Sequence, residues 1–373
     1  LKNTVWIKKM IDKRLVANFD WVFFLMIFIL FGISLLEIYS AVQTGSKDYV
    51  IRQGIWFAVG LIVFFTILFF PFQLFDRFAL LFYIGVNILL VYVLFDGRLV
   101  GGSQRWISLG FFNLQPSELA KISIILVLAR HYARNMLPGG VGIKQLLMPA
   151  VYTLIPFVLI LRQPDLGTAG MLVLIAAFMT LFVKIEKKTL ISLIIAIFVI
   201  IVPFFTFILK DYQKERIMTF INPGSDPLGA GYHIIQSKIA IGSGMFYGKG
   251  YCQGTQNALS FIPEQHTDFI FSVFAEEWGF LGSLIFLVFY FFVLVWGLKI
   301  AGTCRNSFGV LLCVGLLALI FWQLVINLGM VVGLFPVVGM PLPLISYGGS
   351  SVMTIMIAMG LLMNISMRRH TAR

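Results

Sequence analysis

The sequence predicts an all-α integral membrane protein, a bundle of about ten transmembrane helices in one polytopic domain over residues 1–373, with a large extracytoplasmic loop between spans seven and eight. Three observations carry this. Hydrophobic residues fill 60% of the positions, with 38 Phe, while charged residues make up only 12%, about half the share of a soluble chain. The apolar residues fall in runs of the length a membrane helix needs, not in the short alternating segments of an outer-membrane barrel. One stretch, 210–282, interrupts them with a long polar segment in which Tyr, Ile and Phe recur without low complexity; an ordered loop of this length points to function.

The candidate spans are 21–43, 53–71, 77–95, 117–133, 146–162, 166–184, 189–209, 267–297, 308–334 and 350–367, with the outer loop at 210–266. Placing the N-terminus in the cytoplasm puts 17 of the 28 Lys and Arg residues in short inner loops and tails, the positive-inside pattern. Both termini are therefore expected inside. The first run is too long for the core of a cleavable signal and is expected to be retained. The net charge of +12 reads as a topology signal plus attraction to membrane lipids, with no nucleic-acid footprint. Cys252 falls outside, Cys304 inside and Cys313 within a span, so neither a disulfide framework nor a metal cluster is implied.

Taken in order, the first run carries Glu37, a carboxylate read as lying near the outer interface and capped by Tyr39 unless it is functional. Before the fourth run, Gly101 and Gly102 permit a tight turn, and Arg105 with Trp106 suits the headgroup level. Pro116 then opens a helix on which Glu118 and Lys121, three apart, share a face and can pair. The turn at 162–167 places Arg162 and Asp165 on the outer face, with Asp165 suited to cap the next helix. After the ninth run, Pro336, Pro341 and Pro343 forbid a regular helix, and Gly348 and Gly349 before Ser350 and Ser351 make a tight turn. Irregular backbone at membrane depth survives only where protein or a wet cavity satisfies it, so 334–351 is expected to line a cavity. The two halves show no convincing repeat, which weakens a transporter reading.

Several long motifs stand in a specific order: GGSQRWISLG and QPSELAKI within 101–122, RQPDLGTA at 162–169, KERIMTFINPGSDPLGAGYHIIQSKIAIGSG at 214–244, FIPEQHTDFIFSVFAEEWG at 261–279 and GMPLPLISYGGSS at 339–351. They resemble the SEDS family of bacterial cell-wall synthases (shape, elongation, division and sporulation), and its RodA branch in particular, since Pro341 stands where the FtsW branch typically has Thr. Trp278 occupies a position where Leu is common. The resemblance spans nearly the whole chain. It implies a peptidoglycan glycosyltransferase of the inner membrane that polymerises lipid II on the outer face during cell elongation and rod-shape maintenance. A class B penicillin-binding protein, a transpeptidase, is its implied partner. The Asp matching Asp268 is the family's catalytic residue.

Such a transfer needs a general base for the attacking sugar hydroxyl and positive charge for the departing polyprenyl diphosphate. Asp268 suits the base, because it precedes Phe269, Ile270 and Phe271 and an apolar setting makes a carboxylate more basic. Thr267, read as an N-cap, has the opposite effect by placing the acid at a helix N-terminus. Without the resemblance, Asp268 reads equally as a residue that stabilises the helix start. Candidate substrate-binding residues are Arg105, Glu118, Lys121, Asp165, Arg216, Lys238, Ser346, Gly348, Gly349 and Ser350. A divalent cation, Mg or Mn, held by Asp268 with Asp165 or Glu118 could share the charge, although no dedicated metal motif is present. His266 reads as a loop residue. The rival functions are a flippase for a polyprenyl-diphosphate-linked precursor, with Glu37, Glu118 and Lys121 as its path, and a non-catalytic scaffold. Polar chemistry gathered on one side disfavours the flippase. An acid poised at a cavity mouth disfavours the scaffold.

Overall fold

The computed structural model describes residues 18–42, 48–100, 103–108, 110, 113–135, 140–203, 214, 218–220, 230–255 and 265–369. Its helices are α1 (Trp21–Ala41), α2 (Asp48–Phe69), α3 (Phe72–Asp96), α4 (Pro116–Asn135), α5 (Ile143–Arg162), α6 (Leu166–Phe182), α7 (Lys187–Pro203), α8 (Ala230–Ser243), α9 (Ile270–Thr303), α10 (Ser307–Val332) and α11 (Gly349–Arg368). Each predicted span coincides with one of these, its ends shifted by a few residues; the last residues of the seventh, 204–209, lie outside the described ones. Seven helices (α1, α2, α3, α5, α9, α10 and α11) are long and apolar enough to cross a membrane, and α6 is a shorter apolar helix. The protein is an all-α multi-pass membrane bundle.

Burial separates the inner helices from the outer ones. α10 and α11 are 72% and 83% buried along their apolar windows, against 22–33% for the other five spans, so they form the centre while the rest expose large apolar side chains. α4 also runs inside, with Glu118 and Lys121 buried. Shielding from lipid is what lets so polar a helix sit in the bundle.

Local chemistry sets the helix ends. The Asp20 carboxylate accepts from Phe23 N–H at 3.1 Å to open α1, and Trp296 Nε1 donates to it at 2.8 Å, tying that end to the last turns of α9. Asp165 caps α6 as expected, accepting from Thr168 N–H at 3.1 Å and from its hydroxyl at 2.9 Å. Inside α5, Pro156 has no N–H to give the Tyr152 carbonyl. The Tyr83 hydroxyl of α3 donates to that carbonyl instead, at 3.0 Å.

Two features depart from the expectation of helices and irregular loops alone. Residues after α3 form a small antiparallel sheet, β1 (Arg98–Val100), β2 (Ser103–Ser108) and β3 (Asn113–Leu114), in the order β1-β2-β3. Its strands are too short to stand out from turn residues in the sequence. The long polar segment contains α8, whose Ser237 hydroxyl donates to Val331 O at 2.8 Å and so packs it across the end of α10.

α9 is broken at Gly279, which has φ 65° and ψ −163°. The break leaves the carbonyls of Glu276 and Glu277 and the N–H groups of Phe280 and Leu281 without helical partners. The 244–250 loop takes all four: Lys249 N–H and Gly250 N–H donate to Glu276 O and Glu277 O, both at 3.0 Å, and Phe280 N–H and Leu281 N–H donate to Met245 O at 2.9 Å and Phe246 O at 3.0 Å. This is how irregular backbone inside a membrane bundle is satisfied. Beside it the fully buried Glu276 pairs with Lys249 at 2.6 Å and accepts from Thr255 N–H at 2.9 Å.

Glu37 corrects the sequence reading. It is buried, 1% exposed, and accepts from Trp278 Nε1 at 2.9 Å, whereas Tyr39, the expected cap, is 45% exposed. The partner came from a position 241 residues away, out of reach of any local pattern.

Candidate active site

The site lies where helix gives way to extended chain. The prolines between α10 and α11 deny this segment its own hydrogen-bond ladder, so buried side chains on the surrounding helices meet its carbonyls. Asn327 Nδ2 donates to Met340 O at 2.7 Å, Gln323 Nε2 to Pro341 O at 3.0 Å, Ser34 Oγ to Ile345 O at 2.7 Å and Gln53 Nε2 to Ser346 O at 3.2 Å. The buried Tyr290 hydroxyl donates to Pro343 O. Leu342 O accepts from the N–H groups of Ile345 and Ser346.

The chain that carries Asp268 is fastened residue by residue, to α1, to this segment and to α10. Gln265 Nε2 donates to Ala41 O at 2.7 Å, Tyr347 N–H to His266 O at 2.9 Å, Ser346 Oγ to Thr267 O at 2.6 Å and Asn327 Nδ2 to Asp268 O at 2.8 Å. Held this way, 265–269 forms turns, and α9 begins only at Ile270 with Phe269 as its N-cap. Thr267 is therefore not the cap expected from the sequence, because its backbone is committed to the neighbouring segment.

Asp268 is half-buried. Gly339 turns the chain in the left-handed region, φ 72°, and a Cβ there would stand 3.4 Å from Asp268 Oδ2, which places the carboxylate against that turn. On its other side, a Cβ on Gly167 would stand 2.7 Å from Val338 O. The turn thus brings the start of α6, with Asp165, close to the segment that Asp268 faces. His266 is more than a loop residue: its ring packs 4.6 Å from Tyr49 and 5.7 Å from Tyr347, by centroids. Burial raises the Tyr347 phenol above its ordinary pKa, while the Arg52 guanidinium hydrogen-bonded to it works the other way.

The remaining candidates divide. Ser346 is 2% exposed and its hydroxyl serves two backbone groups, Leu342 N–H and Thr267 O, so it helps to build the site from within. Ser350 donates to Asn113 O and accepts from Gln115 N–H, joining α11 to the sheet. Gly348 N–H donates to Gln53 Oε1 at 3.4 Å, and Gly349 lies so close to Trp56 that a Cβ would meet the indole at 2.5 Å. Arg105 donates from Nε to Gln163 O at 3.1 Å and also to Pro164 O, fixing the sheet to the turn before α6. Lys238 is exposed on α8, its amine lying over Gly333 at the end of α10. Arg216 lies outside the described residues.

Glu118 and Lys121 form the expected pair, Nζ to Oε1 at 2.7 Å, and both are buried. Removing one member leaves a buried charge unpaired, which costs about 3–5 kcal/mol. A cycle of Glu118→Gln, Lys121→Met and the double variant is expected to show a coupling of about 1–3 kcal/mol in melting stability; simple additivity would dissolve the pair.

Asp165 is committed to Thr168 and, at 3.5 Å, to Gln115, and Glu118 to Lys121. Among the described residues no three His, Cys, Asp or Glu side chains group as metal ligands.

Asn327, Gln323, Gln53, Ser34 and Arg52 escaped the sequence reading. The first four are polar side chains, at most 1% exposed, inside apolar helices, and the cost of such groups in a membrane was the signal that could have found them.

Residues 16–371 match the model of a family described as cell cycle protein, FtsW/RodA/SpoVE. The peptidoglycan glycosyltransferase MrdB of Escherichia coli (strain K12) is 40% identical over 371 residues, covering 99% of this chain and 96% of that protein. A chain from a peptidoglycan synthase complex, solved for its structural coordination of polymerization and crosslinking, superposes with a TM-score of 0.82 at 30% identity, over 95% of this chain and 99% of that one. The crystal structure of the rod shape determining protein RodA of Thermus thermophilus gives a TM-score of 0.70 at 26% identity, over 94% and 98%.

Proposed function

Since the chain belongs to the FtsW/RodA/SpoVE family of cell cycle proteins and is a peptidoglycan glycosyltransferase, we propose that it polymerises lipid II with Asp268 as general base. The observation that carries this reading is the placement of Asp268: a half-buried carboxylate against the Gly339 turn, on backbone pinned from three sides. A hydroxyl of one bound glycan attacks the anomeric carbon of another. The new C–O bond forms as the bond to the polyprenyl diphosphate breaks, and the hydroxyl proton passes to the Asp268 carboxylate. Basic side chains stabilise the diphosphate that leaves. Lys238, exposed beside the end of α10, is the best-placed described candidate, and no step runs through a cation.

Charge distribution supports an orientation in the inner membrane. The end of the bundle opposite Asp268 carries Arg130, bonded to Asp76 O at 2.7 Å, Arg134, paired with Asp76 at 3.3 Å, and Arg368, bonded to Leu68 O at 2.9 Å. We assign that end and both termini to the cytoplasm. Asp268, α8 and the 244–255 loop then face outward, where a class B penicillin-binding protein would crosslink the product. Cys252, free and partly exposed, is expected to react with an impermeant thiol reagent in intact spheroplasts. Protection there, with labelling only after denaturation, would reverse the orientation.

Purified protein given lipid II in detergent, with its class B partner, is expected to make glycan polymer. Detergent leaves nothing to flip, so failure there, with transport in liposomes, would favour the flippase.

A further inference from the structure

We propose that Asn327 is a positioning residue for polymerisation: one side-chain amide holds the Asp268 backbone and the Gly339 turn at a fixed spacing, and so aims the carboxylate. The inference rests on the reading of Asp268 as general base.

The geometry is that of a two-pronged clamp. Asn327 is fully buried in the second-last turn of α10, and its Nδ2 donates both protons, to Asp268 O at 2.8 Å and to Met340 O at 2.7 Å. Those carbonyls belong to the base itself and to the residue that follows Gly339, the glycine nearest the carboxylate. An amide NH₂ has two donors in one plane, so it sets the distance and angle between the two chains together. The amide's other atom, Oδ1, is buried without a hydrogen-bond partner. Such an atom carries a desolvation cost, one this position bears while its two donors bridge the site.

Gln323, one turn earlier on the same helix, is the natural control. It is as deeply buried, and its Nε2 donates to Pro341 O at 3.0 Å and towards Ser351 Oγ at 3.5 Å. Both side chains tie the same irregular segment to α10. The bond to the acid's own backbone belongs to Asn327.

The experiment uses the purified full chain with its class B partner and lipid II, recording kcat, KM and melting temperature. Asn327→Asp keeps the shape and removes both N–H donors, leaving at most one O–H, which cannot bridge the two carbonyls. It is expected to lower kcat by about 100-fold, the scale of an ångström-sized misplacement, with KM for lipid II changed less than about twofold because no substrate contact is lost. Gln323→Glu is expected to lower the melting temperature comparably with a much smaller fall in kcat. If Asn327→Asp does not fold, Asn327→Ser, which keeps one donor but cannot reach both carbonyls, carries the same expectation. A kcat within about twofold of wild type in the Asn327 variant overturns the proposal, as does an equal fall in kcat in the Gln323 variant. Asp268→Asn run alongside separates the two readings. If it is inactive while the Asn327 variant is not, only the positioning role falls; if it is fully active, the general base falls and the positioning role with it.

Discussion

Asp268→Asn is expected to leave a folded, membrane-inserted protein that makes no detectable glycan polymer. Asn preserves the volume, and residue 269, not 268, caps α9, with no side-chain cap bond to lose. The carbonyl that Asn327 grips is backbone and survives the change. Loss of a general base lowers the rate by about 10²–10⁴-fold, about 3–5 kcal/mol of barrier. A structural role would instead appear as about 1 kcal/mol of stability with normal turnover. Melting temperature and polymer yield from one preparation, with the class B partner present, distinguish these. Wild-type polymer from the Asn variant would leave Asp268 a structural residue.

Gly248→Ala is expected to destabilise the fold strongly. Gly248 has φ 80°, and a Cβ there would lie 2.1 Å from Glu277 O and 2.7 Å from Gly279 N. Those are backbone atoms of the broken helix, with no flexible side chain to move aside. The left-handed backbone alone costs about 1–2 kcal/mol, and overpacking adds about 1–3. The loop would have to withdraw from the break, stranding the Glu277 carbonyl and exposing the Lys249–Glu276 pair. Gly85→Ala in α3 is the comparison, since a Cβ there meets nothing within 4 Å; Ala is the better helix former, so it is expected to be neutral or slightly stabilising. Equal melting temperatures for the two variants would mean that the loop does not occupy the break.

Much of this was legible in the sequence because it is local. Apolar run length marked helices, seven of them long and apolar enough to span, while Asp165 before an apolar run marked a cap and the spacing of Glu118 and Lys121 marked a pair, both confirmed by contacts within a turn of helix. The acid at 268 and the irregular chain before α11 stood out from their surroundings for the same reason, although Gly349, Ser350 and Ser351, expected in a tight turn, instead open α11. What could not be read is what distant residues do to one another. Thr267 has the chemistry of an N-cap, yet Ser346 and Tyr347 hold the chain around it away from helix. Glu37 found Trp278, and the small sheet formed from residues whose local signal was turn. Arg105, read as a headgroup contact, is instead spent on carbonyls of the turn before α6.

The fastening of the first helices to the last segment also sets a schedule for biosynthesis. Ser34 waits for Ile345, 311 residues later, and Thr267 for Ser346, 79 residues later. Chains emerge and begin to fold from the N-terminus, so Asp268 enters the membrane before the groups that hold it exist. A ribosome-bound chain that ends before residue 340 therefore has the acid but no surface to aim it. If Asp268 is the general base, a chain interrupted before Ser346 and Tyr347 is expected to be inert, not a weak synthase.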